Sequence, residues 1–196
     1  MREPCFSKHP SGLQMRSGPR VPVTVRSGTS TDVDAALSIY LRSTLARRQG
    51  RAIPSERIEQ VADNLRNPVT WFLIADDGRE SVGMALAMPA HEDAGAGPLI
   101  LGACYLDLIY VLPDRWGEGI GGVLLDRVLD EARRRGYSRV QLSTHEDNER
   151  SQRLYRSRGF LPAGPARVND AGARVGEWVR SIDESNWPTP QTDARP

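Results

Sequence analysis

The stretch best equipped for chemistry is residues 108–122, LIYVLPDRWGEGIGG. An apolar, strand-like run ends at Pro113. Gly117, Gly119, Gly121 and Gly122 then crowd the start of an amphipathic pattern. Glycine lacks a Cβ, so the backbone can approach a ligand closely and take dihedrals that other residues avoid. A helix N-terminus adds unpaired N–H groups and a partial positive charge. Together they make a seat for phosphate oxygens that needs no basic side chain. The P-loop spelling is excluded, because Val123 and Leu124 stand after the glycines where a lysine is required. Gly117, Gly119 and Gly122 satisfy the dinucleotide spelling G-x-G-x-x-G. That unit belongs at the first strand of a parallel sheet, however, and here it follows a hairpin in mid-chain. A glycine-rich turn without a ligand is the bland alternative. Four glycines would cost a helix about 0.5–1 kcal/mol each, which argues against it.

Titratable residues near this stretch supply candidate bases. Asp107 interrupts the apolar run CYLDLIYVL of residues 104–112, sharing a strand face with Tyr105, Ile109 and Val111. A carboxylate there is costly unless solvated or paired. It is therefore either a general base, directly or through water, or the partner of an arginine. Histidine titrates near neutrality, so His145 could line a binding mouth, as could His91 and Glu92, but a solvated loop position is the simpler reading for each. The sequence HED at 91–93 is not a metal set, and Cys5 and Cys104 are too few and too far apart for a disulfide framework. No metal is expected.

Hydrophobic periodicity supplies the elements around these residues. Residues 21–26 (VPVTVR) read as a first strand, with Pro22 marking an edge. A helix follows over about 32–48, capped by Thr31, and a second opens at Pro54–Ser55–Glu56 and stops at Pro68. WFLIAD (71–76) and SVGMALAM (81–88, ending at Pro89) form a hairpin, and 91–98 is a loop. A strand over 104–112 leads through the glycines into a helix reaching about Arg135, closed by Gly136. Then come a strand at 139–143, a helix at 148–158 and a hairpin of strands near 160–168 and 174–182. The order βααβββαβαββ is a mixed α/β domain, a mostly antiparallel sheet of about six or seven strands with about four helices. Residues 1–20 read as a disordered leader or a start-site artefact, 21–182 as the domain and 183–196 as a tail.

The 196 residues suit one domain with its own core. The 26 basic and 25 acidic residues nearly cancel, which disfavours a nucleic-acid partner. Lys8 is the one lysine, the other basic residues being arginine, as a genomic codon bias would give. No run approaches the ~20 apolar residues of a membrane span, and no secretory signal is legible. A reducing cytoplasm is the expected location.

Two blocks together resemble one family. Residues 116–121 (WGEGIG), entered from IYVLP, look like the acetyl-CoA pyrophosphate loop [QR]-x-x-G-x-[GA] of the GNAT N-acetyltransferase superfamily. Gly119 and Gly121 match the small positions, whereas Trp116 replaces the polar first position. Residues 148–160 (NERSQRLYRSRGF) are similar to the family block N-x-x-[AS]-x-x-L-Y-x-x-x-G-F. The resemblance implies an acyl-CoA-dependent enzyme, with acetyl-CoA as co-substrate and a primary amine as acceptor, a small-molecule amine favoured over a protein lysine or N-terminus. It implies that Leu108, Val111, Trp116, Gly117, Glu118, Gly119, Ile120, Gly121, Gly122, Asn148 and Ser151 contact the carrier. The amide near Val111 would hold the thioester carbonyl and Asn148 the pantetheine arm. Tyr155 would protonate the leaving thiolate, with Asp107 the candidate base. Tyr155 packed in the core and Asn148 capping its own helix are the structural alternatives. Arg150, Arg153, Arg156 and Arg158 are candidates for the 3′-phosphate, or a solvated helical face. Members often dimerise, and four tryptophans with the last hairpin leave a homodimer open. A non-catalytic acyl-CoA-binding module is the alternative function.

Overall fold

The protein, seen in a computed structural model, is described over residues 22–169 and 172–183. In chain order the elements are β1 (Thr24–Ser27), α1 (Val33–Arg47), α2 (Ser55–Arg66), β2 (Trp71–Asp76), β3 (Ser81–His91), β4 (Leu99–Val111), α3 (Ile120–Arg134), β5 (Arg139–His145), α4 (Glu149–Ser157), β6 (Leu161–Pro162), β7 (Arg167–Val168) and β8 (Arg174–Ser181). Among the described residues the strands form one open mixed sheet ordered β1-β2-β3-β4-β5-β8-β6, with β7 also on β8. Only the β4–β5 pair is parallel. Both α1 and α3 pack on β3 and β4. Helices cover both faces there, which is why WFLIA of β2 is buried without alternation. Leu73, Ile74, Leu86, Leu124 and Leu142 lie at the centre of the core.

Five expectations need correction. The expected strand at 160–168 breaks into β6 and β7, because Pro162, Pro165 and Gly164 (φ +110°) interrupt it, giving eight strands. β3 runs through Pro89 to His91. β2 has already ended opposite Ala87, so one edge of β3 is free there and a missing N–H breaks no ladder bond. β4 starts at Leu99, five residues early, to pair with this extension. Thr31 is not the cap of α1: a 3₁₀ turn at Ser30–Asp32 precedes that helix, and Asp32 accepts hydrogen bonds from the Thr29 amide and hydroxyl, both at 2.8 Å. Arg26 grips the same carboxylate at 2.7 and 2.8 Å, holding it far below the usual carboxylate range. The expected first strand lies at Thr24–Ser27, and Val21, like the leader and all but the first residue of the tail, lies outside the described residues.

Candidate active site

The site begins where the sheet comes apart. β4 and β5 pair only from Ala103↔Arg139 to Leu106↔Leu142. Along β3, the register slips between Leu86↔Leu108 and Ala87↔Leu106, so Asp107 is the extra residue of a bulge. Beyond it the two parallel strands diverge. The Leu112 amide donates to the Val82 carbonyl at 2.9 Å. Ladder alternation then directs the amides of Leu108 and Tyr110 to β3, and those of Ile109 and Val111 into the gap left by β5. The Val111 carbonyl faces the same way and accepts from Ser43 Oγ at 2.8 Å and Trp116 Nε1 at 2.7 Å. Leu108 itself is 4% exposed and belongs to the core.

The glycines close one end of the gap. Gly117 (φ +91°) and Gly119 (φ +86°), the N-cap of α3, occupy the left-handed region. A Cβ at either would meet nothing within 4 Å, so the dihedral and not crowding demands glycine. Gly122 and Val123 donate to the Gly119 carbonyl at 2.9 and 3.2 Å, whereas the amides of residues 117–121 meet no acceptor among the described residues. Five orphaned donors at one helix entrance fit a multiply charged anion. Arg115 anchors this loop, binding Asp77 of the β2–β3 turn at 2.5 Å and Glu118 at 3.0 Å. Hydrogen bonds from the Glu80 amide, Arg115 and the Arg79 amide hold the Asp77 carboxyl down at about 2.

α4 lies across the loop. Leu154 would touch a Cβ at Gly121 at 3.5 Å, and the Arg158 guanidinium stands where a Cβ at Gly122 would be, leaving 2.7 Å. Asn148 caps α4, its Oδ1 accepting from the Ser151 amide at 3.3 Å. Of the four arginines grouped by the sequence, Arg153 pairs with Glu149 and Arg158 with Asp126, while Arg156 stacks on Trp178. Arg150 lies over the Trp116 ring, 5.4 Å from its centroid. Tyr155 is 5% exposed, with Phe160 and Trp178 at ring distances of 5.8 and 6.4 Å. Burial raises its phenol well above the usual range, with Tyr110 across the gap adding to the effect. It is therefore fully protonated at neutral pH, the state a proton donor needs. Cys104 is buried and its thiol is pushed up to about 12, so it is no nucleophile.

On the other side of β4 a cleft of about 1110 Å³ spans α2, the ends of β3, β4 and β5, and the last hairpin. Asp107 lines it. Arg57 of α2 binds Asp107 Oδ1 at 3.4 Å and Gln60 at 2.8 Å. Burial opposes the charge on Arg57, but Asp107 and the tyrosines 40 and 110 outweigh it. Those two rings meet edge to face at 5.3 Å. Asp107 Oδ2 is buried with no donor. The arginine-partner reading of Asp107 is thus what the structure shows, with its second oxygen buried and unpaired. His91, Glu92 and Asp93 line the same cleft, whereas His145 does not. Arg57 and Tyr40 were invisible in the sequence, because neither belongs to a motif and each lies 50 or more residues from Asp107. Among the described residues no cluster of His, Cys, Asp and Glu could hold a metal, and no helix is long and apolar enough to cross a membrane.

A split sheet beside a glycine-lined helix entrance is the architecture of the GNAT acyltransferases. Residues 35–160 match the model of the acetyltransferase (GNAT) family, and the chain belongs to that family. A mycothiol acetyltransferase of Beutenbergia cavernae is 32% identical over 146 residues, 69% of this chain and 43% of the relative. The L-amino acid N-acyltransferase MnaT of Escherichia coli is 35% identical over 71 residues, 36% of this chain and 40% of the relative. The matches therefore span less than half the length of these curated relatives. YncA of Salmonella typhimurium, solved with its cofactor acetyl-CoA, superposes with a TM-score of 0.65 at 22% identity, covering 86% of this chain and 99% of that one. At that identity the likeness shows the fold alone.

Proposed function

We propose that the protein transfers acetyl from acetyl-CoA to the primary amine of a small molecule by direct attack on the thioester. The observation that carries this reading is the run of five unpartnered amides at residues 117–121, opening on a gap into which the Ile109 and Val111 amides also point. The first group would seat the diphosphate, and the second would hold the thioester carbonyl and stabilise charge developing on its oxygen. Asn148 and Ser151 at the start of α4 would border the pantetheine arm. A lysine-like ammonium titrates near 10.4 and must lose a proton before it attacks. Asp107, which lines the cleft, would take that proton, directly or through water. Tyr155, held protonated by its burial, would deliver one to the departing thiolate.

The cleft favours a small acceptor, since α2 and the last hairpin wall it on opposite sides. Two relatives carry names that fit a small acceptor, a mycothiol acetyltransferase and an L-amino acid N-acyltransferase. The test is a turnover screen with acetyl-CoA, following free thiol across amino acids, polyamines, aminoglycosides, amino-sugar conjugates and peptides. The reading expects stoichiometric thiol and N-acetylated product with at least one small amine. Tight coenzyme A binding with no thiol release across the panel would leave a binding module instead.

A further inference from the structure

The loop of this chain lacks a cation of its own at the position where the family carries glutamine or arginine, and Trp116 stands there. Its neighbours do not make up the charge. Arg115 is committed to Asp77 and Glu118, and Glu118 itself brings a negative charge into the loop. Coenzyme A nevertheless brings a diphosphate and a 3′-phosphate. The face of α4 that lies across the loop presents Arg150, Leu154 and Arg158 at helical spacing. Leu154 meets Gly121, and Arg158 spans Gly122 to reach Asp126 with two hydrogen bonds of 3.0 and 3.1 Å. Arg150 is different. It is exposed, has no carboxylate partner among the described residues, and rests 5.4 Å above the Trp116 indole. The indole is itself fixed by its 2.7 Å bond to the Val111 carbonyl. A guanidinium on an aromatic face keeps its charge and its N–H edge free while losing rotamer freedom.

We propose that Arg150, shelved on Trp116, is the cation that binds the diphosphate of coenzyme A, so that the charge the loop position lacks is supplied from α4. Trp116 then has two jobs: its N–H fixes the end of β4, and its ring holds Arg150 beside the loop. The inference rests on the reading of those amides as a coenzyme A site. Arginine recognises any phosphate, so the 3′-phosphate is the competing source.

Calorimetric titration of coenzyme A and of 3′-dephospho-coenzyme A separates the possibilities. Arg150→Ala is expected to weaken both ligands by about tenfold, the loss of one charge-assisted contact. Arg150→Lys should recover part of it, and raised salt should narrow the gap between wild type and Arg150→Ala. Trp116→Phe, which keeps a ring face, should bind more tightly than Trp116→Ala. Arg66→Ala, on an exposed residue at the far end of α2, should match wild type. Equal affinities for wild type and Arg150→Ala, with both folded by melting temperature, overturn the proposal. A loss seen with coenzyme A but not with the dephospho form also overturns it, placing Arg150 at the 3′-phosphate. A wild type that binds neither ligand overturns the coenzyme A site itself.

Discussion

The two sides of β4 are built from different materials. The loop side uses backbone amides, from residues 117–121 and from the splayed end of the strand, and the chain's own dihedrals fix their positions. The cleft side uses side chains, Arg57 from α2, Asp107 from the bulge and Glu177 and Arg167 from the last hairpin, brought together from across the fold. A backbone site changes little with side-chain substitution and suits a ligand common to a whole family. A side-chain site is re-specified by single substitutions and suits the partner that varies. Asp107 sits at the junction, since the bulge that opens the gap also places its carboxylate in the cleft.

The sharpest break in that division is expected at Tyr155, which the proposed mechanism places in the reaction rather than in either binding half. Tyr155→Phe should lower turnover by about 10²–10⁴-fold, the usual worth of a positioned proton donor, and leave coenzyme A affinity within about twofold. Parallel losses of turnover and affinity would make Tyr155 a packing residue. Gly119→Val comes next. A β-branched residue at φ +86° is strained, and refolding of the turn would misdirect the amides. Coenzyme A affinity should fall by about thirtyfold or more by calorimetry, with Gly119→Ala intermediate.

Asp107→Asn should reduce kcat/KM for the amine by about ten- to a hundredfold and leave coenzyme A binding alone. Its deficit should shrink as pH rises and more amine is already neutral, so a pH-independent deficit would point to a purely structural role. The smallest effect concerns Asp77. Its carboxyl lies near 2 in the folded protein, against 3.8 for the free group. A depressed carboxylate pKa stabilises the fold above the unfolded value, and this contribution is lost as pH falls through the folded one. The melting point of Asp77→Asn should thus sit a few degrees below wild type from pH 5 to 8, with the gap closing between pH 4 and 2.

The same division governs what could be read from residues alone. The glycine entrance was legible because left-handed dihedrals leave glycines at fixed spacing, and the block at 148–160 because one helix carries its cap, Tyr155 and the closing Gly159 together. Asp107 stood out as a charge in an apolar strand, but the bulge that positions it depends on β3, 20 residues earlier. Arg57 gave no signal at all: on an amphipathic helix it looks like any solvated arginine, and its meaning appears only when α2 packs beside β4. Pro89 misled for a similar reason, since strand-breaking by proline depends on which edge is paired, and β2 stops just short of it.

Titration of coenzyme A into wild type, Gly119→Val and Asp107→Asn tests the central claim most directly. Backbone capture at the loop predicts one site of micromolar affinity in wild type, an unchanged site in Asp107→Asn and a severely weakened one in folded Gly119→Val. Equal binding by wild type and Gly119→Val, or no heat from wild type at millimolar coenzyme A, would contradict it.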